Sequence, residues 1–231
     1  VHEELDPVRA ARDLARHRFG AAQLVIVGGS VLTPRRTATS DLDMLVVTAP
    51  RERATHHALH WQGWPVEVLE HDERTLSAAC ADQLARRWPG VPRLIAEGVI
   101  LADRRDLGSR LQEEMRGRLA AGPAAATGAE LAAHRFELTD LLDDLTGSAD
   151  PAETAFISAR LLTKTAQLAL LEGRHWQGTG KWLLRELREH DPRLAEELSA
   201  ALADPVALRA LANQVLDRAG GPLREGYQTA L

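Results

Sequence analysis

The sequence predicts an α+β protein: a mixed sheet with flanking helices, followed by an all-α helical bundle. Three observations point there. Short β-branched runs alternate with helical patterns in the first half of the chain. Every periodic segment of the second half has helical spacing. Between them, Ala121-Gly122-Pro123-Ala124 through Gly128 is a linker of small residues. The expected division is 1–122 for the mixed half and 123–231 for the helical half.

The elements follow in order. Residues 6–19 form an amphipathic helix, with Asp6 as N-cap, Pro7 at the first helical position and Gly20 at its end. Residues 23–27 and 44–48 are short apolar runs rich in β-branched residues, hence buried strands, the second closed by Pro50. Residues 51–61 read as a helix. From Val66 onward, 64–70 alternates apolar and polar, which makes a third strand with Glu67 on its less apolar face. Helical patterns cover 73–87 and 91–97, residues 98–101 make a fourth strand, and 104–120 is a helix. Past the linker, helices are expected over 129–146, 151–173, 179–190, 192–203 and 205–219. Asp150-Pro151, Gly173, Asp191-Pro192, Asp204-Pro205 and Gly220-Gly221-Pro222 mark the breaks.

Bulk properties narrow the function. The chain has 231 residues, 45% hydrophobic and 26% charged, the composition of an ordinary globular protein. Its apolar runs fall far short of the roughly 20 residues that span a bilayer, so no membrane partner is expected. The N-terminal stretch is charged (His2, Glu3, Glu4, Asp6) with no apolar signal segment, which reads as cytoplasmic. A single cysteine, Cys80, excludes an internal disulfide and reads as a small apolar side chain on a helix. The net charge is -5 with no basic stretch, so no nucleic-acid partner is expected. Basic residues are nearly all arginine; the lysines are Lys164 and Lys181.

The chemistry-bearing residues lie between the first two strands. Asp41 and Asp43, at i and i+2 on entry to a strand, project to the same side and can share one or two divalent cations. Hard oxygen ligands of this kind suit Mg²⁺, which keeps waters and substrate phosphates in its shell. Upstream, Gly28-Gly29-Ser30 follows a buried strand, where exposed amides and the Ser30 hydroxyl can hold phosphate oxygens. Glu67 supplies a third carboxylate. A Gly-Gly-Ser is commonly just a turn, and an Asp-x-Asp commonly a cap. The combination of strand, Gly-Ser, Asp-x-Asp, strand and an alternating strand with a central acid is far more restrictive.

These residues resemble the nucleotidyltransferase superfamily that shares its fold with DNA polymerase β. Within it, the chain is similar to small-molecule and antibiotic nucleotidyltransferases of the kanamycin and streptomycin type, over residues 10–105. The resemblance implies that Gly29 and Ser30 bind the triphosphate and that Asp41 and Asp43 hold metals. It also implies that Glu67 assists metal binding or acts as base. Two Mg²⁺ ions and ATP or another nucleoside triphosphate would be required, with a small-molecule hydroxyl as acceptor. The chain departs from the family in carrying Thr33-Pro34 where an Arg-Gly or Phe-Gly is common, so no role is carried onto that pair. Arg35 and Arg36 could reach a phosphate or face solvent.

Relatives of this kind add a helical domain that closes over the donor and shapes the acceptor pocket, with one chain or two completing the cleft; a monomer or homodimer is therefore expected. Because a lysine of that domain reaches the triphosphate, the resemblance singles out Lys181, in Arg174-His175-Trp176-Gln177-Gly178-Thr179-Gly180-Lys181-Trp182, and secondarily Lys164. Glu137, Asp140 and Asp144 share a helix face that could receive a polycation such as an aminoglycoside, or could simply be solvated. Trp61 and Trp64 could wall a ring pocket beside Glu67. His56 and His60 have i, i+4 ligand spacing if helical, but no third ligand supports a zinc enzyme. Two rival readings are adenylylation of a partner protein, in the manner of a nucleotidyltransferase antitoxin, and a catalytically idle nucleotide-binding module.

Overall fold

The structure is a computed structural model that describes residues 6–228; His2, Glu3 and Glu4 of the charged N-terminal stretch lie outside it. In chain order the described residues form α1 (Pro7–Arg18), β1 (Leu24–Gly28), a 3-10 turn (Ser30–Leu32), β2 (Leu42–Val47), β3 (Thr55–Trp61) and β4 (Trp64–His71). Next come α2 (Glu73–Ala85), α3 (Gly90–Glu97), β5 (Val99–Asp103) and α4 (Leu107–Ala120). Helices α5 (Gly128–Gly147), α6 (Pro151–Glu172), α7 (Lys181–His190), α8 (Pro192–Ala200) and α9 (Pro205–Arg218) complete the chain. The chain divides into two compact units between Ala121 and Gly122.

The first unit is a mixed five-stranded sheet of order β3-β4-β2-β1-β5. Strands β2 and β4 are parallel; the other neighbours are antiparallel. Alternation along each strand sends side chains to opposite faces. Val25, Val27, Leu42, Met44, Val46, Val66 and Val68 pack on one face with Ala10, Ala11 and Leu14 of α1. Leu24, Ile26, Leu45 and Val47 pack on the other against Leu76, Ile95, Leu107 and Met115 of α2, α3 and α4. Cys80 belongs to this second core, and burial pushes its thiol up to about 11, which leaves it an unreactive apolar group.

The segment 51–61 is not helical: its greater part is the edge strand β3. Its composition hides this, because an edge strand buries only part of one face. Leu59 and Trp61 pack on the α1 side, while His56, His57, Ala58 and His60 are exposed. The signal in the sequence is the turn. Gln62 and Gly63 both have positive φ (49° and 87°), the signature of a two-residue type I′ hairpin between Trp61 and Trp64. On a strand, His56 and His60 stand about 13 Å apart, which removes the shared-metal reading.

The second unit packs its helices around leucines such as Leu138, Leu161, Leu168, Leu187 and Leu208. Aspartate followed by proline starts three of these helices: Asp150, Asp191 and Asp204 each cap through a side-chain oxygen, with proline in the first turn. Thr127 and Glu130 form a reciprocal capping box at α5.

Candidate active site

The pairing register builds the site. Gly28 of β1 faces Asp43 of β2, Asp43 faces Glu67 of β4, and Glu67 faces Ala58 of β3. One row across four strands thus carries two adjacent carboxylates flanked by the two smallest residue types. Neighbouring strands lie about 4.8 Å apart, so the pairing alone sets Asp43 and Glu67 side by side. Asp41, two residues before Asp43, joins them: one carboxylate oxygen from each of Asp41, Asp43 and Glu67 lies within 4.8 Å of the others. Asp41 and Asp43 are half-buried and Glu67 is exposed.

Like charges this close repel one another. Asp41 has no hydrogen-bond or ion-pair partner among the described residues. Three convergent carboxylates, all with oxygen donors, fit a hard divalent cation such as Mg²⁺. Glu67 does have a neighbour, a histidine that the sequence suggested only as a zinc ligand on a helix. His56 Nε2 stands 3.3 Å from its Oε2.

The Gly-Ser turn lies against this group. Gly29 has φ 97°, and a Cβ placed there would run into the Asp43 carboxylate, so glycine is demanded both by conformation and by contact. Ser30 opens the 3-10 turn, and its hydroxyl lies 3.0 Å from that of the buried Ser40. The Ser40 hydroxyl also accepts from the Thr37 amide at 2.9 Å. Thr33 donates to the Ser30 carbonyl at 2.9 Å and accepts from the Arg35 amide at 3.2 Å. Ser40 is a residue that sequence reasoning missed. The hydroxyl-rich run Thr37-Ala38-Thr39-Ser40 just before Asp41 was the available signal.

Trp61 and Trp64 do not wall a pocket beside Glu67. Both pack in the α1 core, on the face opposite Glu67, as the even spacing of Trp64 with Val66 and the pairing of Trp61 with Trp64 require. Arg36 stacks over the Trp64 ring, 4.8 Å from its centroid.

In the second unit, Lys181 is the first residue of α7 and is exposed. The N-cap is Gly180 at φ 51°, with no side-chain capping bond. Trp176 is buried, whereas Trp182 is 40% exposed and carries the Arg185 guanidinium on its ring at 4.5 Å. Lys164 lies 2.7 Å from Glu137, which Arg160 also pairs. Burial pushes the Glu137 carboxyl up, but hydrogen bonds and charge from Lys164 and Arg160 outweigh it and hold it below the ordinary value. Asp140 and Asp143 pair with Arg224. Most of the acidic face of α5 is therefore neutralised from within its own unit.

No protein-family model matches the chain, and no curated protein matches it in sequence. Among solved structures it is similar to the crystal structure of a nucleotidyltransferase-like protein from Exiguobacterium sibiricum, with a TM-score of 0.52 and 18% sequence identity. The match covers 92% of this chain and 75% of that one. At this identity the likeness is one of fold: an α+β, nucleotidyltransferase-like architecture that here carries a cluster of three carboxylates able to hold a metal.

Proposed function

We propose that the chain is a Mg²⁺-dependent nucleotidyltransferase that moves a nucleoside monophosphate, AMP from ATP, onto a hydroxyl of a small molecule. The observation that carries this reading is the convergence of Asp41, Asp43 and Glu67 beside the Gly29-Ser30 turn. Mg²⁺ held by these carboxylates, as two ions in the full complement, would offset the charge of the triphosphate and acidify the acceptor hydroxyl.

The remaining roles belong to the chain. The turn amides and the Ser30 hydroxyl bind phosphate oxygens, with the Ser40 hydroxyl fixing Ser30. Glu67, exposed at the edge of the group, accepts the acceptor's proton as the new oxygen–phosphorus bond forms at the α-phosphate. The bond from the α-phosphorus to the bridging oxygen breaks, and the electron pair leaves with pyrophosphate. For Lys181, a cation at a helix N-terminus, the sequence resemblance favours a role at the triphosphate. The same resemblance names Lys164 second, and its ammonium is already paired with Glu137. Hydroxylated antibiotics are the acceptor class that the sequence resemblance favours.

Calorimetric titration with ATP and Mg²⁺ tests the donor site. The native chain should bind nucleotide only with metal, and Asp41→Asn/Asp43→Asn should abolish it. Binding that survives the double change would sink the assignment. Labelled ATP, followed by mass analysis of aminoglycosides, lincosamides and proteins, tests the acceptor. Label found only on protein would replace the small-molecule reading with partner adenylylation.

A further inference from the structure

Glu67 is the most exposed of the three carboxylates. Asp43 has a short side chain walled by Gly29. Glu67 has one more rotatable bond, its side chain is 48% exposed, and its strand lies next to the sheet edge. A glutamate so placed can swing away from the aspartates into water unless something holds it.

The register supplies a holder. Ala58 faces Glu67, and His56, two residues along β3, lies on the same face as its diagonal neighbour. Long side chains bridge that diagonal, and His56 Nε2 is 3.3 Å from Glu67 Oε2. The metal-capable group consists of Asp41, Asp43 and Glu67 among the described residues, and His56 is not one of its members. It therefore stands against Glu67 from outside the group. The adjacent histidine, His57, points to the opposite face, where its Nε2 lies 3.8 Å from Glu70.

We propose that His56 is a positioning residue: its Nε2–H donates to Glu67 and keeps that carboxylate turned toward Asp41 and Asp43. The inference rests on the metal-dependent reading of the three carboxylates. An imidazole N–H can donate whether the ring is neutral or charged, so no titration is required. Outer partners of this kind orient metal-binding carboxylates, and losing one weakens metal affinity about 10- to 100-fold.

The test is Mn²⁺ binding to the full chain, followed by the paramagnetic resonance signal of free Mn²⁺, with circular dichroism to verify folding. His56→Ala should weaken binding by about tenfold or more. His56→Gln, which places an amide N–H where Nε2 stood, should recover most of that loss, and His57→Ala should leave binding unchanged. Unchanged affinity in His56→Ala, while Glu67→Gln weakens binding, would overturn the role of His56 and leave the metal site standing. If Asp41→Asn and Glu67→Gln also leave Mn²⁺ binding unchanged, both the positioning role and the metal-dependent reading fall.

Discussion

Gly29 carries two constraints at once. Its φ of 97° lies where an L side chain is strained, and the space its Cβ would need is taken by the Asp43 carboxylate. Gly29→Ala should therefore cost about 1–3 kcal/mol in denaturant unfolding from the backbone alone, because φ 97° with ψ 177° is a conformation open essentially to glycine. It should also displace Asp43, and with it Mg²⁺–ATP binding by calorimetry. An alanine variant that binds nucleotide normally would show that the turn and the aspartate are not coupled. Gly63 is the contrast: its φ is 87°, but nothing lies near the place of its Cβ.

That contrast makes the hairpin between β3 and β4 a separable element. Gly63→Ala should destabilise by about 1 kcal/mol through conformation only, read from the denaturant midpoint. The same hairpin is where the sequence misled. Gln62-Gly63 is a weaker turn signal than Asn-Gly, and the histidines of β3 carry no strand-forming bias strong enough to declare themselves. The inner strands and the helix starts were legible, because both faces of β1 and β2 are covered and their apolar runs are continuous. The Asp-Pro pairs announced α6, α8 and α9 through a capping bond and a fixed φ.

Across the whole molecule, acid stability should follow the buried His71 of the first unit and the half-buried His175 of the second. Burial is the leading cause that lowers the pKa of His71 and of His175 from the ordinary 6.5. The unfolded chain takes up a proton near that value and the folded chain does so only at lower pH. Stability is therefore complete above 6.5 and declines as pH falls below it, until the folded-state values are passed. Asp72 acts in a separate, lower window. Its carboxylate accepts amide hydrogen bonds from Thr75 and Arg51, which hold its pKa far below the ordinary 3.8. Its contribution is present above 3.8 and is lost as pH falls through the depressed value. Denaturant midpoints followed downward from neutral pH should show the histidine decline first, and His71→Gln should flatten it in the first unit. A midpoint indifferent to pH below 6.5 would contradict the histidine account. No helix among the described residues is long and apolar enough to cross a membrane.

The sequence by itself determined the α+β class, the buried strands, the capped helices and the candidate set of Gly29, Ser30, Asp41, Asp43 and Glu67. Those features are local: periodicity, capping and short spacings are written in neighbouring residues. Only the tertiary structure decided that Asp43 and Glu67 stand in one row, since that depends on β2 and β4 pairing in parallel with a particular register. The β3–β4 hairpin set Trp61 beside Trp64, on the face away from Glu67, and brought His56 to Glu67. Contacts across a sheet are fixed by register, and a shift of one residue would send every one of these side chains to the other face.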